Sequence, residues 1–341
     1  MDVYFHNLIK KEYEKRQKQA YESLDKRQQE LYEKIEELES IDRKINMLGV
    51  KYSKLVLLHG NEKKDELLKI QNEIDSFKRK KDELMASRGF SADYLKPLFK
   101  CSMCRDTGYI ENGNVTEKCT CYNEMLMNML YSASNLASLK NNNFSCFDEK
   151  YFSDVVDASR NKLGISPREN ILRIKERCLK FIDNFENPDE RNLFFSGSTG
   201  VGKTFMASCI GHEILKKGRT VLYYSAPQMF DVIYRYKLNA ARDIDYEDRD
   251  YDYIYSCELL IIDDLGTEPP SSAKFTDLLN ILNVRGEAKG GKLCKTIISA
   301  NMGVKELYEY YDERIASRII GSFDVLKFIG EDIRRIKLMM N

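Results

Sequence analysis

One run of eight residues, Gly197-Ser198-Thr199-Gly200-Val201-Gly202-Lys203-Thr204, combines the ingredients of a phosphate grip. Glycines let backbone N–H groups curl around an anion, a lysine adds a point charge, and the hydroxyl that follows can ligate Mg²⁺. The spacing G-x4-G-K-[ST] is met without departure. It predicts that Lys203 meets the β- and γ-phosphates of a nucleoside triphosphate and that Thr204 helps hold the metal. Farther on, the apolar run Leu259-Leu260-Ile261-Ile262 ends in Asp263-Asp264. Taken alone, paired acids after a strand are more often a cap or a turn. After an intact phosphate loop they suit a second job, with Asp263 in the Mg²⁺ shell and Asp264 orienting the attacking water. An Asp where the longer Glu would reach further toward water predicts slow hydrolysis. A third cluster is Cys101-x2-Cys104 with Cys119-x-Cys121, four thiolates from two short turns, which suits a tetrahedral Zn²⁺ at a structural site. The tight Cys-x-Cys can strain simultaneous ligation, so a site with Cys119 or Cys121 free and another ligand recruited stays open, as do disulfides or unliganded thiols.

These groups need elements to position them. Leu193-Phe194-Phe195 reads as a strand feeding the glycine loop, and residues 205–217 as the helix that leaves it, so the helix N-terminus adds its partial positive charge at the phosphates. Val221 to Tyr224, Leu259 to Ile262 and Thr296 to Ser299 read as further short, apolar strands buried on both faces. Alternating with helical stretches, they predict a parallel α/β sheet from about residue 156 to 341. Residues 1–90 hold no proline and are dense in Lys, Glu, Gln and Arg. Leu24, Leu31, Leu38 and Ile45 recur at seven-residue steps, and Leu67, Ile70, Ile74, Phe77 and Leu84 mostly at three and four. Two helices follow, broken around Gly49 to Asn61 and closing on each other as an antiparallel hairpin, with a self-associating coiled coil as the alternative. Residues 91–135 form the cysteine module and 136–155 a linker.

The balance of charge limits the partners. Lys and Arg number 54 and Asp and Glu 54, a formal net charge of +0, so a polyanion must be held by a local patch and not by the field of the whole molecule. No apolar run is long enough to span a bilayer, and the first residues lack the plan of a signal peptide, which predicts a soluble cytoplasmic protein without a membrane partner. Nine cysteines do not pair off evenly. Outside the cluster they read as small buried hydrophobes.

Ile261-Ile262-Asp263-Asp264-Leu265-Gly266-Thr267-Glu268, together with the glycine loop, resembles the AAA+ ATPases of the DnaC/DnaI helicase-loader and IstB group. Leu95-Lys96-Pro97 with Cys101-x2-Cys104-Arg105-Asp106-Thr107-Gly108-Tyr109 resembles the metal-binding segment that precedes the core in DnaI-type loaders. The resemblance implies an AAA+ P-loop core with a reduced helical lid, binding ATP, Mg²⁺ and, in the cysteine module, Zn²⁺. Ser299-Ala300-Asn301 matches the sensor strand, with Asn301 at the γ-phosphate or the water. Glu313-Arg314-Ile315-Ala316-Ser317-Arg318 resembles the box whose arginine reaches a neighbouring subunit's nucleotide. Arg318 is then the finger and Arg314 its companion, and the chain a homo-oligomer. Gly330-Glu331-Asp332-Ile333-Arg334 resembles the second sensor, with Arg334 facing the γ-phosphate and Arg335, next to it, able to exchange roles. The stretch from Tyr224 to Lys237 interleaves Met229, Phe230, Tyr234 and Tyr236 with Arg235 and Lys237, which suits single-stranded DNA no better than it suits an amphipathic core helix. The acidic tyrosine run from Tyr246 to Tyr255 would repel DNA and reads as a solvated loop or partner surface.

The function so implied is an ATPase, converting ATP and water to ADP and phosphate, that helps load the replicative DNA helicase onto single-stranded DNA. Its N-terminal region would hold the helicase. An IstB-like transposition helper is the rival within the class. From another class, a zinc and coiled-coil scaffold could bind ATP without turnover.

Overall fold

A computed structural model describes the chain except for residues 1–2, 60–62, 92, 114, 137–141, 157–163, 244–247, 288–292 and 341. The chain divides into two compact units, one of residues 6–123 and one of residues 1–5 with 124–341.

In the first unit the charged N-terminal sequence forms three helices, α1 (Val3–Lys34), α2 (Glu36–His59) and α3 (Lys64–Ser87). Leu31, Ile35, Leu38 and Met85 are buried together, with Tyr32, Leu84, Phe90, Tyr94 and Leu95 packed around them. Removing those side chains from water is what holds charge-rich helices in place. Lys81 Nζ lies 2.6 Å from Asp42 Oδ1, and the Tyr32 hydroxyl donates to Asp42 Oδ2 at 2.7 Å. The antiparallel hairpin is therefore made by α2 and α3. Three helices stand where two were expected, with an additional break at Ile35, and the break expected around Gly49 to Asn61 falls at its far end, because α2 runs through Gly49 to His59 and α3 begins at Lys64. A lone glycine costs a helix only about 1 kcal/mol, too little to end a long one. Beyond α3 the strands β1 (Tyr109–Asn112) and β2 (Val115–Lys118) pair antiparallel, Tyr109 opposite Lys118, and bring the two cysteine pairs to one end of the ribbon. Helix α4 (Thr120–Ala133) follows.

The second unit is built on five parallel strands, β3 (Asn192–Ser196), β4 (Val221–Ser225), β5 (Leu259–Leu265), β6 (Lys295–Ala300) and β7 (Phe323–Lys327), in the order β4-β5-β6-β3-β7. Around them lie α5 (Pro167–Asp183), α6 (Lys203–Lys216), α7 (Ala226–Ala240), α8 (Arg249–Ser256), α9 (Ser272–Gly286), α10 (Val304–Tyr310), α11 (Glu313–Ser322) and α12 (Ile333–Met340). This is the parallel α/β sheet flanked by helices that the sequence predicts, with α12 the last helix of the unit. The four predicted strands are present, and all of Leu193, Phe194, Ile261, Ile262, Ile297 and Ile298 are inaccessible to solvent. The fifth, β7, escaped prediction because Asp324 and Lys327 interrupt its short apolar run on an edge position. Parallel strands present their carboxyl ends on one side, and an open sheet of this kind binds its ligand there.

Helix α7 has the amphipathic core pattern that was one of the two readings of the Tyr224–Lys237 stretch. Met229 and Phe230 are buried, Tyr236 stacks on Tyr251 with ring centroids 3.7 Å apart, Arg235 pairs with Asp231 at 3.1 Å and Lys237 with Asp277 at 2.5 Å. Of the three aromatics on α7 only Tyr234, 64% exposed, points to solvent. The acidic tyrosine run is likewise no solvated loop. Residues 249–256 are helical with Tyr253 and Ile254 buried, while Tyr246 lies outside the described residues.

Candidate nucleotide site and cysteine cluster

The glycine loop leaves β3 and enters α6 through three residues at positive φ, Gly197 (148°), Gly200 (81°) and Gly202 (98°). Two of them are also needed for space. A Cβ on Gly197 would stand 2.4 Å from the Phe328 carbonyl oxygen, and one on Gly200 would stand 2.1 Å from Asp332 Oδ1. Gly202 is the N-cap of α6, whose first N–H groups have no intrahelical acceptor and so face an incoming anion. Lys203 opens that helix at 5% exposure. Its ammonium donates to the carbonyls of Gly197 (2.8 Å) and Ser198 (2.7 Å) and to Asn301 Oδ1 (2.9 Å), and Thr199 Oγ1 donates to the same Asn301 oxygen at 3.4 Å.

A register irregularity between Ile262 and Leu265 marks the end of β5. Bulges re-aim side chains, and here Asp264 takes φ 55°, a left-handed conformation unusual outside glycine. Its N–H donates to Ser299 Oγ at 3.0 Å. Asp263 is buried, receiving the Tyr223 hydroxyl on Oδ2 at 2.6 Å and the Ser299 hydroxyl on Oδ1. Burial, then the charge of Asp263, pushes the Asp264 carboxyl above the usual carboxylate range against Lys203 and Arg334. Burial lowers Lys203, and the two aspartates oppose that shift.

Thr199, Gly200, Gly202, Lys203, Thr204, Asp263, Asp264, Asn301 and Arg334 thus border one cavity of about 450 Å³. Gly197 and Ser198 border a neighbouring cavity of about 660 Å³, and Val201 is buried behind the loop. Arg314 and Arg318 border neither. They line a groove with Asn283 and Ser317, where Arg314 is held by Asp312 at 2.8 Å. Sequence reasoning missed Tyr223, which reaches Asp263 from the next strand, and placed residues 136–155 in a linker, whereas Phe147, Tyr151 and Phe152 wall the 450 Å³ cavity. The aromatic density of residues 144–152 was the available signal. Thr204 and Asp263 offer hard oxygen donors, which suits Mg²⁺ completed by water and phosphate.

The cysteine cluster sits in the other unit. The sulfurs of Cys101, Cys104, Cys119 and Cys121 all lie within 4.8 Å of one another, with Cys101 to Cys119 at 3.8 Å and Cys104 to Cys121 at 3.5 Å. Tetrahedral Zn²⁺ with bonds of about 2.3 Å requires sulfurs about 3.8 Å apart, so the four residues fit one such ion. The strain anticipated for Cys-x-Cys does not displace either sulfur. The turn that carries Cys101 and Cys104 is fixed by buried Asp106, which accepts the N–H groups of Lys100 (2.8 Å) and Cys101 (3.0 Å), and Gly108 N–H donates to Cys104 Sγ at 3.4 Å.

Residues 170–335 match the model of the family described as IstB-like ATP binding protein. The segment is an IstB/DnaC-like ATP-binding domain. Within the domain, the putative insertion sequence ATP-binding protein y4pL of Sinorhizobium fredii is 31% identical over 149 residues, 42% of this chain and 57% of that protein. The replicative helicase loader DnaC of Escherichia coli is 21% identical over 151 residues, 44% of this chain and 58% of its own length. The chain therefore spans less than two thirds of the length of these two curated relatives. Among solved structures, the DnaC helicase loader is 25% identical, covering 48% of this chain and 90% of that one with a TM-score of 0.39. DnaI is 21% identical, covering 55% and 95% with a TM-score of 0.39. No described helix is long and apolar enough to cross a membrane.

Proposed function

We propose that this chain is a Mg²⁺-dependent ATPase whose nucleotide state switches its hold on a replicative DNA helicase during loading onto single-stranded DNA. The observation that carries the nucleotide reading is the convergence of Lys203, Asn301 and Asp263, from the glycine loop and two strand ends, on one cavity. Thr204 and Asp263 would hold Mg²⁺, which when bound neutralises charge on the β- and γ-phosphates. Asp264 orients the attacking water, and Arg334 meets the γ-phosphate. Arg318, with Arg314 beside it, reaches the nucleotide of a second copy, a role supported by its place in a groove apart from its own chain's cavity. Lys203, Asp263, Asn301 and Arg334, held around one γ-phosphate, relax when it leaves, which gives the two states different surfaces.

The helicase reading is supported by the DnaC relative and by a unit, residues 6–123, that lies outside the family match. In that unit Cys101, Cys104, Cys119 and Cys121 would hold Zn²⁺, which when bound ties the ribbon together. The higher identity to an insertion sequence protein favours a second reading, a transposition helper. A loading assay with the hexameric helicase of the same organism on circular single-stranded DNA separates them. Wild-type chain is expected to stimulate loading. Lys203→Ala, which removes charge-assisted phosphate contacts, is expected to lose about 100-fold in affinity for a fluorescent ATP analogue and all stimulation. Stimulation of a transposase in place of the helicase would assign the second reading.

A further inference from the structure

Glu268 is 2% exposed and borders none of the cavities described above. A buried carboxylate is expensive unless hydrogen-bonded, so its partners indicate what it is kept for. It ends the turn that begins at Asp264, where the Asp264 carbonyl accepts the Thr267 N–H at 3.2 Å and the Thr267 hydroxyl at 2.8 Å. One oxygen, Oε2, accepts the N–H of Gly266 at 2.9 Å, and Gly266 holds φ 95°. The other, Oε1, accepts the hydroxyl of Tyr311, and the Glu268 carbonyl accepts that of Tyr310 at 2.7 Å. Tyr311 immediately precedes Asp312, the N-cap of the helix bearing Arg314 and Arg318. Met302, next to Asn301, closes the same knot, with Cε 2.2 Å from where a Gly266 Cβ would stand. Phe275 of α9 packs on Tyr311 at 5.1 Å between ring centroids. One buried carboxylate therefore ties the Asp264 turn at the end of β5 to the start of α11, with the residue after Asn301 packed into the same knot.

We propose that Glu268 is a positioning residue that couples the Asp264 turn to helix α11, so that nucleotide held in one copy sets the placement of the arginines offered to the next. This rests on the nucleotide reading above. A linkage between two sites needs a shared two-state element and a measured coupling. The experiment compares full-length wild type, Glu268→Gln, Tyr311→Phe, Arg318→Ala and the Glu268→Gln/Arg318→Ala double variant. Each is measured for affinity for a fluorescent ATP analogue, for hydrolysis kcat, and for amide exchange of residues 313–322 with and without ATP.

Glu268→Gln puts an amide N–H against one of two donors and breaks one tie, while Tyr311→Phe deletes a single hydroxyl without altering charge. Both are expected to keep nucleotide affinity within about twofold, to lose about tenfold in kcat, and to lose the ATP-dependent change in exchange over residues 313–322. The double variant is expected to be no slower than Arg318→Ala alone. Multiplicative losses in the double variant would overturn the proposal, as would wild-type kcat and exchange in Tyr311→Phe. If Glu268→Gln does not fold, Tyr311→Phe decides alone. Failure of the wild type to bind the analogue would sink the nucleotide reading itself, a different result from intact binding with uncoupled exchange.

Discussion

Gly200 illustrates how closely single residues constrain the site. Its φ of 81° favours glycine, and the space a side chain would fill holds the Asp332 carboxylate. Its carbonyl also accepts the N–H of Ile333 at 3.0 Å. Gly200→Ala is therefore expected to cost about 1–3 kcal/mol of stability in denaturant titration, and to weaken binding of a fluorescent ATP analogue by pushing α12 away. Local spacing made this loop legible, because every residue of the grip lies within eight positions. Tyr223 and Glu268 were not legible in the same way. Their roles arise from partners 40 or more positions distant, Asp263 for one and Tyr311 for the other, and no local pattern encodes such a pairing.

Among the elements, α11 has its N-terminus fixed by a side chain. Asp312 caps it by accepting the Arg314 N–H at 2.8 Å, and the Arg314 guanidinium returns to the same carboxylate. The guanidinium, then that N–H, holds the Asp312 carboxyl down at about 2. A depressed carboxylate contributes stability above its unfolded value of about 3.9, and the contribution is lost as pH falls through the folded value. Carbon-13 titration of the Asp312 carboxyl is expected to give a midpoint near 2 in wild type, shifting toward the ordinary range in Arg314→Ala; an unchanged midpoint would dissociate the pair. Elements rich in β-branched and aromatic residues, β3 to β6, could be read directly. The α2–α3 pairing could be read only in part. The heptad stripe marked which faces would be buried, but helix propensity outweighed the glycine taken as its boundary, so the turn falls later than that glycine suggested.

For the whole molecule, the proposed role of Arg318, which lines a groove apart from its own chain's cavity, would make turnover a property of assemblies. Lys203→Ala keeps a finger but lacks the grip, and Arg318→Ala keeps the grip but lacks a finger. Mixed in equal amounts, the two inactive variants are expected to recover a measurable fraction of wild-type ATP hydrolysis, and no recovery at any ratio would show that Arg318 does not act across a seam. Sequence alone carried the sheet and the glycine loop that opens α6. The division of the chain at residue 123 depends on which faces find each other, and the composition shifts at 90 and 135 do not report it. The short helix α12 has one further implication. Its first N–H is bonded to the phosphate loop, and near its far end Leu338 and Met339 stand 80% exposed. Anything that grasped those two side chains would hold a crank whose other end turns the cradle of the nucleotide, so force applied at the surface could eject a spent ligand without touching it.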